Sequence, residues 1–329
     1  ILVLKWYGIS VQGELFDTML AHYLIDPDSR HNMDLLSENY LGYSPVSITS
    51  LIGSKGKNQG NMRDVELEKL KEYAAEDADI TLQLKNTFEP ILNKVNAEKL
   101  AHEIENPLIY VLADIEHEGV RIDQNALADF SKTLETEVKQ IEQNIYEKAG
   151  VKFNIASPKQ LGEVLFDKLQ LDPKAKKTKT GQYQTGEDVL TQLAGKSDIV
   201  ADILDFRQLQ KLKSTYVDAL PLMINKKTGR IHTSYNQAVA STGRLSSNNP
   251  NLQNIPIRTE RGREVRKAFI ARDDDHILLS ADYSQIELRI IAEISKDENM
   301  MEAFIQGHDI HTATAAKVYG IGLEEVSST

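Results

Sequence analysis

The clearest hydrophobic pattern in the chain lies between residues 277 and 294, where a short apolar run precedes an apolar helix repeat. The run Ile-Leu-Leu at 277–279 predicts a short buried strand. Beyond it, Ile286, Ile290 and Ile294 recur every four residues, and this spacing predicts a helix with one apolar face. Asp282 lies between the two patterns. We therefore expect its carboxylate where a strand ends and the chain turns, a position that can face a cleft.

Capping residues and apolar spacing predict several further helices in the first 230 residues. Asp17 is a suitable N-cap, and a strong helix is expected to begin near Val65. A helical stretch is expected to end at Gly119, because glycine is common just after a helix. Residues Leu127–Ala149 read as one long helix, and Ser157 followed by proline predicts the start of another.

Asp282 and Glu287 are close enough in sequence to share one cleft, since Glu287 falls on the first turn of the predicted helix. A carboxylate at a strand end can hold Mg²⁺ through oxygen while leaving positions open for phosphate and water. However, Asp followed by Ser and Gln before a helix is also ordinary N-capping chemistry. The spacing alone leaves both interpretations open.

The string D-Y-S-Q-I-E-L-R at residues 282–289 strongly resembles motif A of family A DNA polymerases. Most of the matched positions are not hydrophobic, which argues against a chance similarity. The resemblance implies that Asp282 is catalytic and binds Mg²⁺ in a two-metal site, of which this chain holds only that one carboxylate ligand. It also implies three nucleotide-binding residues: Gln285, Glu287, which would disfavour a 2′-hydroxyl, and His311, which would contact the triphosphate.

The charge distribution supports a nucleic-acid partner although the net charge is −11. Residues 205–270 carry 12 Lys or Arg against 4 acidic residues, so the basic side chains concentrate in one segment. Such a segment inside an acidic protein is a candidate phosphate-binding surface. The chain has no cysteine, which excludes disulfides and thiolate metal sites. No apolar run is long enough to span a membrane.

Two further segments are candidate DNA-binding elements. Residues 241–256, S-T-G-R-L-S-S-N-N-P-N-L-Q-N-I-P, are polar turn formers that could also be a self-satisfied turn. They resemble an element of the family that contacts the primer–template, and K-S-T-Y at 213–216 resembles the family's thumb, which binds the DNA backbone. Arg258 is similar to an arginine near the incoming nucleotide. The implied DNA-binding residues are Arg244, Asn251, Gln253, Asn254, Lys213, Ser214 and Thr215.

Tyr73 and Asp77 resemble the third motif of a proofreading exonuclease, Tyr-x₃-Asp. There Asp77 would bind a metal ion and Tyr73 would orient the attacking water, so both are catalytic candidates. Such a site also requires an Asp-x-Glu and an Asn-x₃-Asp motif farther upstream; residues 1–72 contain no Asn-x₃-Asp, and Asp17, in Phe-Asp-Thr-Met-Leu, matches neither motif. We therefore expect the exonuclease site to be incomplete in this chain.

The resemblance extends from Trp6 to Val326 and implies a multidomain fold of the α/β and α+β classes. Residues 1–96 would be the C-terminal part of a ribonuclease H-like 3′–5′ exonuclease domain, residues 97–230 a helical thumb, and residues 231–329 the start of the palm and fingers. The chain begins without Met and ends without a closing element. We therefore expect it to be a piece of a longer polypeptide, truncated at both ends.

The implied function is template-directed DNA synthesis by a nucleotidyltransferase, with part of the active site missing from the isolated chain. Its partners would be primer–template DNA and deoxynucleoside triphosphates, and we expect a monomer located in the cytoplasm with the nucleoid rather than at a membrane. Two alternatives remain open. The chain could be a non-catalytic DNA-binding remnant, or a 3′–5′ exonuclease of the ribonuclease D type supported only by Tyr73 and Asp77.

Overall fold

The computed structural model describes residues 1–326, in which helices predominate. The chain forms two compact units, the first running from Ile1 to His276 and the second beginning at Ile277. The last three residues of the predicted palm and fingers segment lie outside the described residues. No described helix is both long and apolar enough to cross a membrane.

The α-helices are α1 Leu2–Trp6, α2 Thr18–Ile25, α3 Met33–Leu36, α4 Ile48–Ile52, α5 Leu67–Lys94, α6 Glu98–Leu100, α7 Asn106–Glu118, α8 Gln124–Ala149, α9 Pro158–Gly162, α10 Glu187–Ala194, α11 Asp198–Leu212, α12 Glu260–Lys267, α13 Ile286–Ser295, α14 Glu298–Ile305 and α15 Ile310–Tyr319.

Shorter helical turns of other types extend or join these helices. The wider π-helical turns are Ser37–Leu41, Ala101–Glu105, Glu163–Lys168 and Lys213–Val217. The tighter 3₁₀ turns are Met62–Asp64, Leu220–Met223 and Leu323–Glu325. The Lys213–Val217 turn continues α11 directly, so the predicted thumb element K-S-T-Y lies at the end of a helix.

Helices α2 and α5 form the framework of residues 1–96. Asp17 caps α2 as predicted, since its carboxylate accepts hydrogen bonds from the backbone N–H groups of Met19 at 2.8 Å and Leu20 at 3.0 Å. The helix predicted near Val65 is confirmed as α5. Its apolar residues recur every four positions and bury one face against α2 and α3, through Ile80, Leu84, Phe88 and Leu92.

The long helix predicted at 127–149 is confirmed as α8, which packs against α11. Two hydrophobic cores lie along this pair of helices. One contains Ile145, Leu165, Val200 and Ile203, and the other contains Leu134, Leu212, Val217 and Val265. Ser157 caps α9 as predicted, with its hydroxyl accepting a hydrogen bond from Gln160 N at 3.4 Å.

Gly119 ends α7 as predicted and permits a close crossing of two backbone segments. Its φ of 66° is in the left-handed region, and a Cβ added there would lie 2.5 Å from the carbonyl oxygen of Ile231. Directly after it, Val120 and Ile231 exchange backbone hydrogen bonds of 2.9 and 2.8 Å. This crossing holds the end of α7 against the segment that leads into the candidate DNA-binding residues.

The described strands form two small antiparallel pairs. Strand β1 (Arg121–Ile122) pairs with β4 (Phe269–Ile270). Strand β2 (Ser234–Asn236) pairs with β3 (Ser246–Asn248), so that Tyr235 lies opposite Ser247. Residues 237–245 connect β2 to β3 and are called the hairpin loop below. This loop contains Arg244.

The prediction of a buried strand at 277–279 is wrong. Ile277, Leu278 and Leu279 are 87%, 58% and 86% exposed and have no regular structure. A strand requires a partner that takes up its backbone hydrogen bonds, and the described chain pairs none with this segment. The helix predicted to follow is confirmed as α13, although its apolar face, Ile290 and Ile294 among it, is largely exposed.

Candidate functional site

The turn before α13 carries Asp282 and Gln285. Asp282 is exposed in irregular backbone. Gln285 adopts a left-handed conformation with φ of 55°, which costs a non-glycine residue roughly 1 kcal/mol or more. Its side chain holds this turn, because Nε2 donates to the carboxylate of Asp309 and Oε1 accepts from Ile310 N at 3.4 Å. The turn is therefore fastened to the start of α15.

The start of α15 carries His311. Asp309 caps this helix by accepting hydrogen bonds from the backbone N–H of Thr312 at 2.9 Å and from its hydroxyl at 3.2 Å. The backbone bond from Thr312 is the main cause that keeps the pKa of Asp309 low, so the cap is anionic. His311 is exposed on the first turn, where helix N–H groups favour anions. The structure therefore brings the predicted nucleotide-binding residues Gln285 and His311 to one place.

Carboxylates near Asp282 do not complete a two-metal site. Glu287 is exposed on the first turn of α13, close in sequence to Asp282. Within residues 1–326, no three His, Asp or Glu side chains are grouped so that they could hold a metal ion. Asp282 can thus offer one oxygen ligand, and the described side chains by themselves do not fit a pair of Mg²⁺ ions.

The candidate DNA-binding segments at 213–216 and 251–254 are in direct contact. The hydroxyl of Tyr216 donates a 2.6 Å hydrogen bond to the backbone carbonyl of Asn254. Tyr216 is only 8% exposed, and this burial raises the pKa of its hydroxyl, which remains a proton donor. Ser214 and Thr215, on the preceding positions, are exposed. Residues far apart in sequence therefore lie side by side on one surface.

The ammonium group of Lys213 forms an ion pair with a neighbouring carboxylate. Its ammonium contacts the Asp218 carboxylate at 2.6 Å, and the hydroxyl of Ser131 donates to the other oxygen of that carboxylate at 2.7 Å. Burial opposes ionisation of Asp218, but the hydrogen bonds from Lys213 and Ser131 outweigh it and lower its pKa. A phosphate that binds Lys213 must therefore compete with Asp218.

Some of the polar groups in the loop at 251–254 already form hydrogen bonds with each other or with Ser247. The side-chain oxygen of Gln253 accepts a 3.0 Å hydrogen bond from Ser247 N, and Asn251 Oδ1 accepts one of 3.1 Å from Gln253 N. These bonds are those of a self-satisfied turn, and they leave the amide NH₂ groups available as donors. Arg244 and Arg258 are exposed on the same compact unit.

A cleft of about 750 Å³ adjoins Ser214. Its lining includes Thr185, Arg207 and Lys211, together with part of the lysine-containing stretch at 172–184. Arg207 donates a 2.5 Å hydrogen bond to the carbonyl of Thr185, which fixes that segment on α11. Burial lowers the pKa of Arg207, but an arginine remains charged under ordinary conditions.

Tyr73 and Asp77 are brought together on one face of α5. One carboxylate oxygen of Asp77 is buried without a hydrogen-bond partner. Burial is the largest cause that raises the pKa of Asp77, and the nearby carboxylates of Asp34 and Glu76 add to it, while a hydrogen bond from Tyr73 opposes the shift. An unpartnered carboxylate oxygen is suited to a cation. Among the described residues, however, no group of three His, Asp or Glu side chains that includes Asp77 could hold a metal ion.

Two residues that position these segments carried no functional assignment from the sequence. Asp309 could have been found as an N-cap, because it precedes an apolar helix with Thr312 three positions later. Tyr216 stands within K-S-T-Y, but nothing in the sequence indicates that its hydroxyl reaches Asn254, which lies 38 positions away.

Two family models match the chain over most of its length. A DNA polymerase family A model matches residues 124–329, and a 3′–5′ exonuclease model matches residues 1–93. The sequence is 48% identical over 322 residues to DNA polymerase I of Pseudomonas aeruginosa, covering 97% of this chain and 35% of that protein. It is 44% identical over 326 residues to DNA polymerase I of Geobacillus stearothermophilus, covering 99% of this chain and 36% of that protein.

The structure is also similar to a solved one. The match is to the POL domain of Pol1 from M. smegmatis in complex with DNA primer-template and dNTP, with a TM-score of 0.83 and 34% sequence identity. It covers 99% of this chain and 53% of that chain. The chain thus spans about a third of the length of the curated relatives that it matches. The predicted fold class, an exonuclease-type domain together with a polymerase fold, is confirmed by these matches.

Proposed function

The chain belongs to DNA polymerase family A, and from that premise we propose that it serves template-directed DNA synthesis by binding primer–template DNA and a deoxynucleoside triphosphate. The observation that carries the proposal is the contact between Tyr216 and Asn254, which joins the two candidate DNA-binding segments into one surface. The structural neighbour, described in complex with DNA primer-template and dNTP, supports the same partners.

In the proposed reaction, the primer 3′-hydroxyl attacks the α-phosphate of the nucleotide, a new phosphodiester bond forms and pyrophosphate leaves. We assign His311 and Arg258 to the nucleotide phosphates and Glu287 to the sugar, where it would disfavour a 2′-hydroxyl. Gln285 holds the turn that presents Asp282, which we assign as the catalytic carboxylate and as the Mg²⁺ ligand that the described residues supply to the polymerase site. Since the described side chains do not complete a two-metal site, no step is assigned to a metal ion.

Arg244, Asn251, Gln253 and Asn254 are proposed to contact the primer–template near the primer terminus. Their side chains include donors that suit minor-groove acceptors, which look alike for most base pairs. Lys213, Ser214 and Thr215 are proposed to bind the DNA backbone, and phosphate contacts position the duplex without reading its sequence. We further propose that the protein is a monomer that acts in the cytoplasm with the nucleoid, in keeping with its bacterial relatives.

Fluorescence anisotropy on a labelled primed duplex tests the proposal directly. We expect the chain to bind with an affinity that falls steeply as salt rises, with a logarithmic slope of about −3 or steeper if several phosphates are contacted. Arg244→Ala should weaken binding, whereas Arg63→Ala should not. Arg63→Ala removes an equal charge from an exposed 3₁₀ turn in residues 1–93, which match the exonuclease model and are called the exonuclease-like segment below. Equal effects of the two variants would reject the proposed surface.

A second candidate function is 3′–5′ exonuclease activity, favoured by the contact between Tyr73 and Asp77 and by the unpartnered oxygen of Asp77. Because the described residues form no group of three acidic or histidine side chains there that could hold a metal ion, we expect this chain to release no nucleotides from 3′-labelled single-stranded DNA with Mg²⁺ present. If nucleotides are released by the wild-type chain but not by Asp77→Ala, the exonuclease hypothesis is supported instead.

A further inference from the structure

A buried tyrosine of the exonuclease-like segment contacts the hairpin loop that carries Arg244. The hydroxyl of Tyr23, on α2, donates a 2.6 Å hydrogen bond to the carbonyl of Ala240. The same hydroxyl accepts a 3.0 Å hydrogen bond from the backbone N–H of Gly243. Tyr23 is only 4% exposed, and both bonds cross more than 200 positions of sequence. One hydroxyl therefore uses its donor and its acceptor on two points of the loop.

The hairpin loop is held at two places. At its start, the side-chain NH₂ of Gln237 donates to the backbone carbonyl of Glu105 at 3.0 Å and to its carboxylate at 2.7 Å. Farther along, two hydrogen bonds with the side chain of Tyr23 hold the 240–243 turn. The turn is also closed by Gly243 N donating to Ala240 O at 3.2 Å. Gly243 has a left-handed φ of 77°, and Arg244 follows it directly.

The ring of Tyr23 is fixed in turn by its surroundings. It meets the ring of His31 edge to face, with the centroids 5.8 Å apart. His31 is itself held by His22 through a 2.8 Å contact between their Nδ1 atoms, and His22 contacts the hydroxyl of Tyr40 at 3.1 Å. A ring packed in this way has little freedom to rotate. The position of its hydroxyl is therefore set by the core of the exonuclease-like segment.

We propose that Tyr23 is a positioning residue that sets the conformation of the hairpin loop and thereby the approach of Arg244 to primed DNA. The inference rests on the proposed function, because it takes Arg244 as a DNA contact. It gives the exonuclease-like segment a part in primer binding that requires no exonuclease chemistry. Tyr23 acts through Arg244, so its hydroxyl matters for DNA only when the arginine is present.

A double-mutant cycle on primed-duplex binding tests this coupling. The proteins are wild type, Tyr23→Phe, Arg244→Ala and the double variant, measured by fluorescence anisotropy at one salt concentration. Tyr23→Phe keeps the ring and removes the hydroxyl, and the loss of two hydrogen bonds should weaken binding by about 3- to 10-fold. In the Arg244→Ala background the same change should have no further effect.

Tyr110→Phe is the matched control. It also removes a hydroxyl that donates to a backbone carbonyl, that of Gly13 at 3.1 Å, and this bond lies outside the contacts that fix the ring of Tyr23. We expect it to lower stability and leave DNA affinity unchanged. An equal loss of affinity in Tyr23→Phe and Tyr110→Phe, or a Tyr23→Phe effect that persists without Arg244, would overturn the proposal in favour of a purely structural role.

Amide hydrogen exchange separates this proposal from the function on which it rests. Gly243 N should exchange faster in Tyr23→Phe than in wild type or Tyr110→Phe, without any DNA present. Unchanged exchange would show that Tyr23 does not hold the loop. Faster exchange in a chain that fails to bind primed DNA would instead locate the failure in the proposed function and would reject the DNA role of Tyr23.

Discussion

Replacing Tyr216 with phenylalanine removes one hydroxyl that joins two candidate DNA-binding segments. In the structure this hydroxyl donates a 2.6 Å bond to the Asn254 carbonyl, and the tyrosine is 8% exposed. Losing a buried bond and leaving its acceptor unpaired costs about 1 to 2 kcal/mol in the free energy of unfolding. If the loop is then ordered only when DNA binds, part of the binding free energy is used to order it, and the affinity falls by at most about 5- to 30-fold. This factor is the same roughly 1 to 2 kcal/mol expressed as a ratio of equilibrium constants.

The assay compares urea unfolding with primed-duplex anisotropy over a range of salt concentrations. Tyr216→Phe removes no charge, so the salt slope of binding should match that of wild type while the affinity falls. Tyr110→Phe is the control, because it also removes a hydroxyl bonded to a backbone carbonyl, that of Gly13 at 3.1 Å. The reasoning is refuted if Tyr216→Phe loses stability but binds primed DNA as tightly as Tyr110→Phe does.

Three further predictions concern the sugar contact, the buried histidines and one glycine. Glu287→Ala in the complete protein should raise ribonucleotide incorporation relative to deoxyribonucleotide incorporation, and an unchanged ratio would count against its assignment. Burial lowers the pKa values of His22 and His31 below 6.5, so below that pH the unfolded chain binds more protons than the folded one. The free energy of unfolding should therefore be highest above pH 6.5 and should fall as the pH drops below it, by at most about 1.4 kcal/mol per pH unit for each histidine. Urea unfolding at pH 7.5 and pH 5.5 measures this, and equal stability at both would contradict it. Gly119→Ala should cost at least about 2 kcal/mol, because its Cβ would meet Ile231 O at 2.5 Å; a smaller loss in urea unfolding would show that the crossing can relax.

Local signals in the sequence predicted much of the helical fold. The caps at Asp17 and Ser157 and the stop at Gly119 depend on bonds within a few residues, so the sequence contains the information. The strand expected at 277–279 failed for the opposite reason. A strand exists only where another strand takes up its hydrogen bonds, and an apolar run cannot show whether a partner is present.

The candidate site could be predicted as a set of residues but not as an arrangement. Motif resemblance supplied Asp282, Gln285 and His311, yet only the structure shows Gln285 bridging to Asp309. The contacts of Tyr216 with Asn254 and of Tyr23 with the hairpin loop are single hydroxyl bonds across 38 and more than 200 positions. No periodicity or composition signals such a bond, because it depends on how whole helices pack.

Single-nucleotide incorporation on a primed template tests the polymerase account most directly. The complete protein is compared with Asp282→Ala and with Asp274→Ala, which removes another exposed carboxylate from the segment before the motif. We predict that Asp282→Ala abolishes incorporation while primed-DNA binding stays close to that of wild type, and that Asp274→Ala incorporates normally. Undiminished incorporation by Asp282→Ala would contradict the assignment of the catalytic carboxylate, and with it the reading of residues 282–289 as the motif that carries the chemistry.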